Sequence, residues 1–588
     1  MSAMHETKTK VSFPLRNRAA LLLAICCLAL VVPRQTMAEV PEQFAAQGSR
    51  AHSHPYLGDP ELSAPGTAAV EAVADEAQRG FVVFAKSASV VIPPDHLPGR
   101  DERCVALAAR DCPGQYGPIT FAVFAIEGGE FAVSVTDLSG PGGKTLSADN
   151  LDVRTVRYAK VSARGKTEVI PLLLERIPRM TVAARRAQQF WITYYLPPVL
   201  PAGDYVGKVR ILVGGIEKMS LPLTITVHPF SLAEADAEAF IYFENSTEAG
   251  ALPLMRKQII DQRCHAMNSS TLTLPVTTPG ELVRDATVQI LDMYRDVHLA
   301  RPDVHVGLWN RMTAEWLNTP DKSIRMYGPW FRYYPFSDKL DAHYVEAVRF
   351  IDQECRKRGL KLVLSVADEA GSHPWTAQAA QHYNDLIKQK LPEVTRELTC
   401  GGGWAMKLPE DELWKGRLDL WMTNRWLVDK LELVRRNEPQ AKIGIYNMCG
   451  PGSGPGGIEA PRVVYGFFAW KSKAAAVAQW VYYHNSTPEH EYAWPAENAD
   501  EGNVPTLRWE MVREGAKDRR YLATLEAKLA GAKGPVAEQA RQLLSRIEAA
   551  VELRNEDYDP IGGGRVPVPM TGTCDQWRGQ IAEMIRKL

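Results

Sequence analysis

Two adjacent carboxylic acids, Asp368 and Glu369, follow the apolar run of residues 361–367. A run of this kind is typical of a buried parallel strand. Residues 370–374 have the composition of a loop, and a helical pattern begins at Trp375. The acids are therefore predicted at the carboxyl end of a strand, which is where barrel enzymes carry their catalytic groups. An alternative stays open, in which one acid caps the next helix and the other pairs with an arginine.

The adjacency of these acids limits the chemistry that they can perform on a sugar. Glycosidases with a carboxylate on each side of the anomeric carbon hold the two groups about 5–5.5 Å apart when they retain its configuration, and further apart when they invert it. Neighbours in sequence rarely straddle a sugar in this way. Adjacent acids fit a substrate-assisted scheme better, in which Glu369 protonates the glycosidic oxygen and Asp368 orients a 2-acetamido group that acts as the nucleophile. Tyr446 is a candidate to hydrogen-bond the acetamido oxygen.

In residues 233–515, apolar runs alternate with helical patterns. This pattern predicts the strands and helices that would position the two acids. This alternation favours a parallel α/β architecture, and eight such strands match a (β/α)8 barrel of the TIM type. The strand candidates are residues 239–243, 269–274, 304–309, 361–367, 395–399, 418–422, 442–446 and 475–483.

Side chains that follow the strands of such a barrel meet at one mouth. Aromatic rings and amides at this mouth suit a sugar, because apolar sugar faces pack on rings and hydroxyl groups need hydrogen bonds. For any single aromatic residue the alternative is burial in the core. The candidate substrate-binding residues are Trp309, Trp404, Asn424, Tyr446, Asn447, Trp470, Trp480 and Tyr482.

The other segments are assigned by their patterns. Residues 39–79 are irregular, and residues 80–232 show short strand patterns between turns, which predicts a β-sandwich with a supporting or carbohydrate-contacting role. Residues 516–588 have helical patterns and form a predicted C-terminal helical region. The expected fold is thus a multidomain α/β protein with an N-terminal sandwich, a central catalytic barrel and C-terminal helices. Charged residues at helical spacing between 508 and 514 favour a structural ion-pair network over a second site.

The first 38 residues have the organisation of a secretory signal peptide. Basic residues precede the apolar stretch 19–32, which is too short to span a bilayer comfortably. Thr36 and Ala38 provide small residues at the two positions that a signal peptidase reads. We expect cleavage near Ala38 and a secreted or periplasmic mature chain without a membrane span. An uncleaved anchor is the alternative.

Composition narrows the possible partners. The chain has 588 residues, of which 23% are charged, and a formal net charge of -1. The chain has no block of basic residues. Its charge therefore indicates neither a nucleic-acid partner nor binding to an anionic membrane surface. Cys104 and Cys112 are close together in a loop-like stretch and are the predicted disulfide pair. No zinc signature, phosphate loop or dinucleotide fingerprint is visible, so we expect no metal and no cofactor.

Several short segments, taken in their order along the chain, resemble glycoside hydrolase family 123 and the related domain of unknown function 4091. The resemblance covers about residues 180–525. It implies a sandwich ahead of the barrel and a retaining β-N-acetylgalactosaminidase in which Asp368 orients the substrate and Glu369 is the acid/base. Such pairs are commonly followed by proline, whereas Ala370 follows here. The segments are 191–198, 201–207, 265–268, 368–369, 462–470, 480–483, 507–515, 518 and 521–522.

The sequence therefore predicts a secreted glycoside hydrolase, of the retaining β-N-acetylhexosaminidase type, that cleaves terminal 2-acetamido sugars. Two alternatives stay open. A non-catalytic carbohydrate-binding surface protein that keeps the barrel needs the aromatic residues but not a proton-donating Glu369. A glycosidase of neutral sugars needs a second carboxylate across the pocket. The acids nearest to predicted strand ends, Glu315 and Asp419, are poorly placed for that role.

Overall fold

The protein was analysed as a computed structural model. The predicted signal peptide and the candidates Trp309, Trp404 and Asn424 lie outside the described residues. All described residues belong to one compact unit, Val40–Leu588. The structure describes residues 41–51, 70–163, 166–248, 250–277, 281–308, 312, 325–327, 331–332, 338–370, 374–400, 413–423, 431–447, 458–484, 491–553, 556–559, 563–565 and 572–588.

Two sheets form between residues 81 and 227. Side chains from both sheets, such as Phe121, Phe190 and Val209, belong to one buried apolar cluster. Burial alternates along Gly203–Val213, whereas Arg186–Tyr195 is buried along almost its whole length. In spatial order the first sheet consists of Phe81–Phe84, Tyr116–Ala125, Arg186–Tyr195, Leu151–Ala163 and Lys166–Glu175. The second consists of Leu107–Asp111, Ile216–Val227, Gly203–Val213, Gly129–Val135 and Met180–Val182, with Leu138–Ser139 and Thr145–Leu146 at its side.

Eight parallel strands then form a nearly closed barrel. Strands that are consecutive in sequence pair from the second to the eighth, and the first strand pairs with the eighth but, within the described residues, forms no ladder with the second. Between the first and second strands, the Asn268 side-chain oxygen accepts the Ala239 N–H at 2.8 Å. All eight predicted barrel strands are confirmed. We number them one to eight: Glu238–Ile241, Ser270–Leu272, Asp303–Gly307, Lys361–Ser365, Thr395–Cys400, Leu420–Thr423, Lys442–Tyr446 and Ala476–Gln479.

Helices surround the barrel and follow it. No helix in the described part of the chain is long and apolar enough to cross a membrane. The domain boundaries at residues 80–232 and 516–588 stay predictions.

The helices are Glu42–Ala46, Ala74–Arg79, Leu252–Cys264, Arg284–Val297, Asp338–Lys357, Pro374–Lys390, Leu431–Asn437, Ala460–Val463, the π-helical turn Val464–Phe468, Ala469–Lys471, Leu507–Leu529, Pro535–Ala550 and Thr573–Lys587. Short hairpins pair Arg325–Tyr327 with Phe331–Arg332, Ala493–Trp494 with Val504–Pro505, and Glu556–Asp559 with Gly563–Arg565.

Helix Arg284–Val297 illustrates how these elements dock on the barrel. Ile290, Leu291 and Tyr294 recur on one helix face and are buried. The Tyr294 hydroxyl accepts the Ser270 N–H at 3.1 Å and donates to the Asp303 carbonyl oxygen at 2.9 Å. One helical side chain thus ties barrel strands two and three together while its ring fills the layer between helix and sheet.

A buried ion-pair network runs through helix Leu507–Leu529. Asp518 pairs with Arg462 at 2.7 Å and with Arg578 at 2.5 Å. Glu514 pairs with Lys517 at 2.9 Å and also with Arg578. Burial alone would raise the pKa of Glu514, but Lys517 and Arg578 hold it well below its usual range. The network therefore connects the helix with the segment before barrel strand eight and with the last helix.

The predicted disulfide between Cys104 and Cys112 is not present, because both cysteines are free. The strand Leu107–Asp111 separates them and spans about 17 Å at 3.3 Å per residue, far beyond the reach of a disulfide. The Cys112 thiol instead donates to the Tyr521 hydroxyl at 3.3 Å. Burial raises the pKa of the Cys112 thiol to about 12. Closeness in sequence was misleading because an extended strand keeps its two ends apart.

Glu459, which is buried next to helix Ala460–Val463, gives the protein a pH-dependent stability. Burial raises the pKa of Glu459 to about 7, although Arg462 opposes this shift. Since the pKa in the unfolded chain is about 4.3, the protonated group contributes stability that is complete below about pH 4 and is lost as the pH rises through about 7.

Glu459→Gln mimics the protonated acid. At pH 8 the free energy of unfolding of this variant is therefore expected to be about 1–3 kcal/mol higher than that of the wild type, and at pH 4 the two values should be almost equal. Urea unfolding between these pH values checks this, with the exposed acid Glu393 changed to glutamine as the control. A constant difference between wild type and Glu459→Gln across this pH range would contradict the assignment.

Candidate active site

Asp368 and Glu369 lie three and four residues beyond barrel strand four, at its carboxyl end. Thr399, a buried residue of barrel strand five, holds both of them. Its hydroxyl donates to Asp368 Oδ1 at 2.6 Å and accepts the Glu369 backbone N–H at 2.9 Å. One hydroxyl group therefore fixes the side chain of the first acid and the backbone of the second.

The backbone at this position is strained. Glu369 has a φ of 41°, in the left-handed region that residues other than glycine rarely adopt. Such a conformation costs on the order of 1–3 kcal/mol and persists only where surrounding contacts enforce it. Asn447, directly after barrel strand seven, also has a positive φ of 51°, and its N–H donates to the Ala478 carbonyl oxygen at 3.1 Å. Strain of this kind often marks functional sites.

A cavity of about 400 Å³ opens at this end of the barrel. Asp368 lines it, together with Tyr446 from barrel strand seven and Trp480 from the end of strand eight. The volume is within the range of small-molecule pockets. The segments 401–412, 424–430 and 448–457, which follow strands five, six and seven, lie outside the described residues.

Two tyrosines form an aromatic wall of the cavity. The rings of Tyr242 and Tyr446 meet edge to face, with centroids 5.2 Å apart. Burial raises the pKa of both phenols well above the usual value, and the nearby charges of Asp368 and Glu369 add to the effect. Both hydroxyl groups therefore keep their protons over the whole working range of an enzyme and are hydrogen-bond donors.

Asp368 has an unusual electrostatic environment for a residue that keeps exposed surface toward the cavity. The surrounding barrel removes water from the carboxylate and raises the pKa of Asp368. The charge of Glu397 raises it further, whereas the hydrogen bond from Thr399 lowers it. A carboxylate with a raised pKa is a better proton acceptor than an ordinary aspartate.

The opposite side of the cavity carries a third acid that the sequence analysis missed. Glu244, three residues beyond barrel strand one, lines the cavity together with Trp480. Its Oε2 lies 3.4 Å from Nε2 of His484, whose ring is 5.0 Å from that of Trp480. The signal for Glu244 was present, because it is the first residue after the predicted strand 239–243.

Three buried charged side chains lie inside the barrel at the base of the cavity. His305 of barrel strand three is 2.8 Å from Glu397 of strand five and 2.9 Å from Glu238 of strand one. The imidazole also stacks on Phe240, with centroids 4.2 Å apart. Burial would lower the pKa of His305, but the two carboxylates outweigh it and raise the pKa to about 10. Sequence reasoning passed over this group because its members lie in three different strands, whereas candidate residues were sought after the ends of strands.

Two predicted binding residues lie elsewhere. Trp470 lines a separate cavity of about 510 Å³ with Ala237 and Ala475, which precede barrel strands one and eight, so it lies at the opposite end of the barrel. Its indole N–H donates to Glu526 at 2.7 Å. Tyr482 is fully buried, and its hydroxyl donates to Asp261. Both predictions are corrected. Trp470 precedes barrel strand eight, so it lies near the amino end of that strand. Tyr482 comes after the end of strand eight, so the alternation of side chains along a strand does not direct it into the cavity.

Among the residues that the structure describes, no group of three or more histidine, cysteine or acidic side chains is arranged to hold a metal ion. The described residues that line the cavity supply carboxylic acids, phenols, an imidazole and an indole. This set can transfer protons, orient polar groups and stabilise positive charge.

Comparisons with known proteins concern the fold. No protein-family model and no curated protein matches the chain. One solved structure that matches is a family 123 glycoside hydrolase from Clostridium perfringens, analysed for glycolipid glycan hydrolysis, at a TM-score of 0.61 and 11% identity over 86% of this chain and 97% of that chain. The chain has the fold of a family 123 glycoside hydrolase. The resemblance inferred from short sequence segments is thus confirmed.

Two further solved structures are more distant. A family 39 glycoside hydrolase from Bacteroides cellulosilyticus WH2 has a TM-score of 0.35 at 11% identity over 70% of this chain and 82% of that chain. A family 2 β-galacturonidase from Eisenbergiella tayi has a TM-score of 0.29 at 11% identity over 68% of this chain and 69% of that chain. At these scores neither structure carries an argument about the site.

Proposed function

We propose that this protein is a secreted glycoside hydrolase that cleaves terminal 2-acetamido sugars with retention of configuration. The observation that carries the proposal is the adjacent pair Asp368 and Glu369 at the carboxyl end of barrel strand four, held by Thr399 at a cavity of about 400 Å³. The fold shared with a family 123 glycoside hydrolase supports it.

In the first step, Glu369 donates its proton to the glycosidic oxygen as the bond from this oxygen to the anomeric carbon breaks. The acetamido carbonyl oxygen of the substrate attacks the anomeric carbon from the opposite face and closes a five-membered ring. Asp368 accepts a hydrogen bond from the acetamido N–H and stabilises the positive charge that develops on this ring. A neighbouring group of the sugar thus replaces a second catalytic carboxylate.

In the second step, water attacks the anomeric carbon and opens the ring, while the Glu369 carboxylate accepts the proton of the water. Two inversions give net retention. Tyr446 is suited to hydrogen-bond the acetamido oxygen, because its phenol stays protonated beside the two acids. Trp480 supplies an aromatic surface on which an apolar sugar face can pack.

One observation favours a second candidate function. Glu244 is a carboxylate that lines the same cavity as Asp368 but comes from barrel strand one. A glycosidase of neutral sugars needs two acids on opposite sides of the anomeric carbon, and Glu244 would complete such a set. In that case the 2-acetamido group of the substrate would be unnecessary for hydrolysis.

The test uses pairs of chromogenic glycosides that differ only in a 2-acetamido or a 2-hydroxy group. We expect hydrolysis of the acetamido members only. Asp368→Asn is expected to lower kcat/KM by about a hundredfold or more for good and poor leaving groups alike, because the charge that supports ring closure is lost.

Glu244→Gln separates the candidates, because it should cost much less than Asp368→Asn under the substrate-assisted mechanism. Hydrolysis of 2-hydroxy glycosides that is abolished by Glu244→Gln would replace the proposal with the neutral-sugar mechanism. Glycan binding without any hydrolysis would support a non-catalytic binding protein.

A further inference from the structure

Glu397 lies below the proposed catalytic pair and is connected to it through its own strand. It is located two residues before Thr399 in barrel strand five, so both side chains point to the same face of the strand. Thr399 reaches Asp368, and Glu397 lines the base of the same cavity while being completely buried. The two residues form successive layers beneath Asp368.

The charge of Glu397 is fixed by a buried ion pair. Glu397 Oε2 lies 2.8 Å from Nδ1 of His305, whose Nε2 lies 2.9 Å from Glu238. Two further cations act on Glu238. A nitrogen of Arg301 lies 3.8 Å from the Glu238 carboxylate, and Lys442 contributes a positive charge nearby. Two carboxylates thus share one imidazolium, and the cations Arg301 and Lys442 act on Glu238, at the end of the cluster away from Glu397.

The other oxygen of Glu397 has no hydrogen-bond partner among the described residues. A buried carboxylate oxygen without a donor is costly, so its retention at this position needs a reason. Among the described residues, the titratable groups that act on Asp368 or line its cavity are Glu369, Tyr242, Tyr446, Glu397, Glu244 and His305.

We propose that Glu397 is a positioning residue which, held in an ion pair by His305, presents its carboxylate to Asp368 and makes Asp368 a stronger proton acceptor. This inference rests on the proposed function. During ring closure the acetamido N–H bond breaks, its proton moves to a carboxylate oxygen of Asp368, and a neutral bicyclic intermediate results. In the second step Asp368 returns this proton to the nitrogen as water opens the ring.

The test measures the protonation of Asp368 directly and does not depend on catalysis. The folded full-length protein is treated with a water-soluble carbodiimide and glycine ethyl ester between pH 4 and 7, because this reagent amidates the protonated carboxyl group. Tandem mass spectrometry then quantifies the labelling at Asp368 itself, separately from the labelling at the adjacent Glu369. In Glu397→Gln we expect the labelling midpoint to fall by about one pH unit, equivalent to tenfold weaker proton affinity.

A matched control exists elsewhere in the chain. Glu510 is also fully buried, lies 3.2 Å from the buried His265, and that imidazole stacks on Trp509. Glu510, which also pairs with Arg513, does not line the cavity. Glu510→Gln therefore removes another buried, ion-paired carboxylate, and it should leave the Asp368 midpoint unchanged. If Glu397→Gln does not fold, Glu238→Gln removes negative charge from the same chain of contacts and should lower the midpoint in the same direction by less.

The outcomes separate this inference from the proposed function. On a hydrolysed 2-acetamido glycoside, the acid limb of kcat/KM should move downward in Glu397→Gln by the same amount as the labelling midpoint. Equal midpoints in the wild type and in the variants of Glu397 and Glu238 would overturn the inference, as would an equal shift in Glu510→Gln. A lowered midpoint in a protein that hydrolyses no glycoside would uphold the electrostatic role of Glu397 and reject the glycosidase.

Discussion

Glu369→Gln is expected to abolish the hydrolysis of 2-acetamido glycosides with poor leaving groups, with a loss of about a hundredfold or more in kcat/KM. An alkoxide leaving group needs the proton of Glu369, and glutamine has none to give. Glycosides with strongly activated phenol leaving groups should lose much less, because such phenolates depart without protonation. Steady-state kinetics on a series of leaving groups measures this difference.

The slope of this series distinguishes acid catalysis from a loss of structure. A variant that is merely misfolded should lose activity equally on all substrates, whereas loss of the acid steepens the dependence on leaving-group pKa. Asp368→Asn is the internal comparison, since it should depress the whole series by a similar factor. If Glu369→Gln keeps full activity on every substrate that the wild type hydrolyses, the assignment of Glu369 is wrong.

The barrel could be predicted from the sequence because each of its strands is marked by the composition of a short, continuous segment. Parallel strands buried on both faces are continuous apolar runs, and residues 361–367 and 442–446 have this composition. The same reasoning located Asp368 and Glu369 at a strand end, because a charged pair after such a run cannot remain in the core. Periodicity and composition therefore predicted the frame of the candidate site together with its two acids.

Contacts between distant elements could not be read from these local patterns. His305 was treated as part of an apolar strand, although its partners Glu238 and Glu397 lie in two other strands. Tyr482 was assigned to the cavity because it lies at the end of the predicted strand 475–483, but its hydroxyl donates to the buried Asp261 of a helix instead. In each case a buried polar group took a partner far away in sequence, and only the folded topology identifies that partner.

Thr399 shows how much of the site depends on such a distant partner. It is one of several small side chains in an ordinary strand pattern, and its sequence gives no sign of function. In the fold it is the residue that contacts both Asp368 and Glu369 through one hydroxyl group. The hydrogen bond to the Glu369 N–H also holds the left-handed backbone of that residue, so the strain at Glu369 is offset by barrel strand five.

Asp518→Asn is expected to lower the free energy of unfolding by about 3–5 kcal/mol, a large part of the stability of a typical domain. Asp518 is fully buried between Arg462 and Arg578, and the amide removes the negative charge that both guanidinium groups face. Arg578 keeps Glu514 and Arg462 keeps Asp575 as partners, but each buried cation loses one counter-charge that no water replaces, which costs far more than the loss of an exposed pair.

The exposed acid Asp296, which pairs with Arg295 at 2.8 Å on a helix surface, provides the control. Asp296→Asn should cost less than about 1 kcal/mol, since solvent screens such a pair. Urea unfolding followed by tryptophan fluorescence and by circular dichroism measures both variants. Equal effects of the two substitutions would contradict the role of the network.

Arg462 belongs to the segment before barrel strand eight and Arg578 to the last helix, so Asp518 connects the barrel with the C-terminal helices. In Asp518→Asn the unfolding transitions seen by fluorescence and by circular dichroism should therefore no longer coincide, because the C-terminal helices unfold before the barrel.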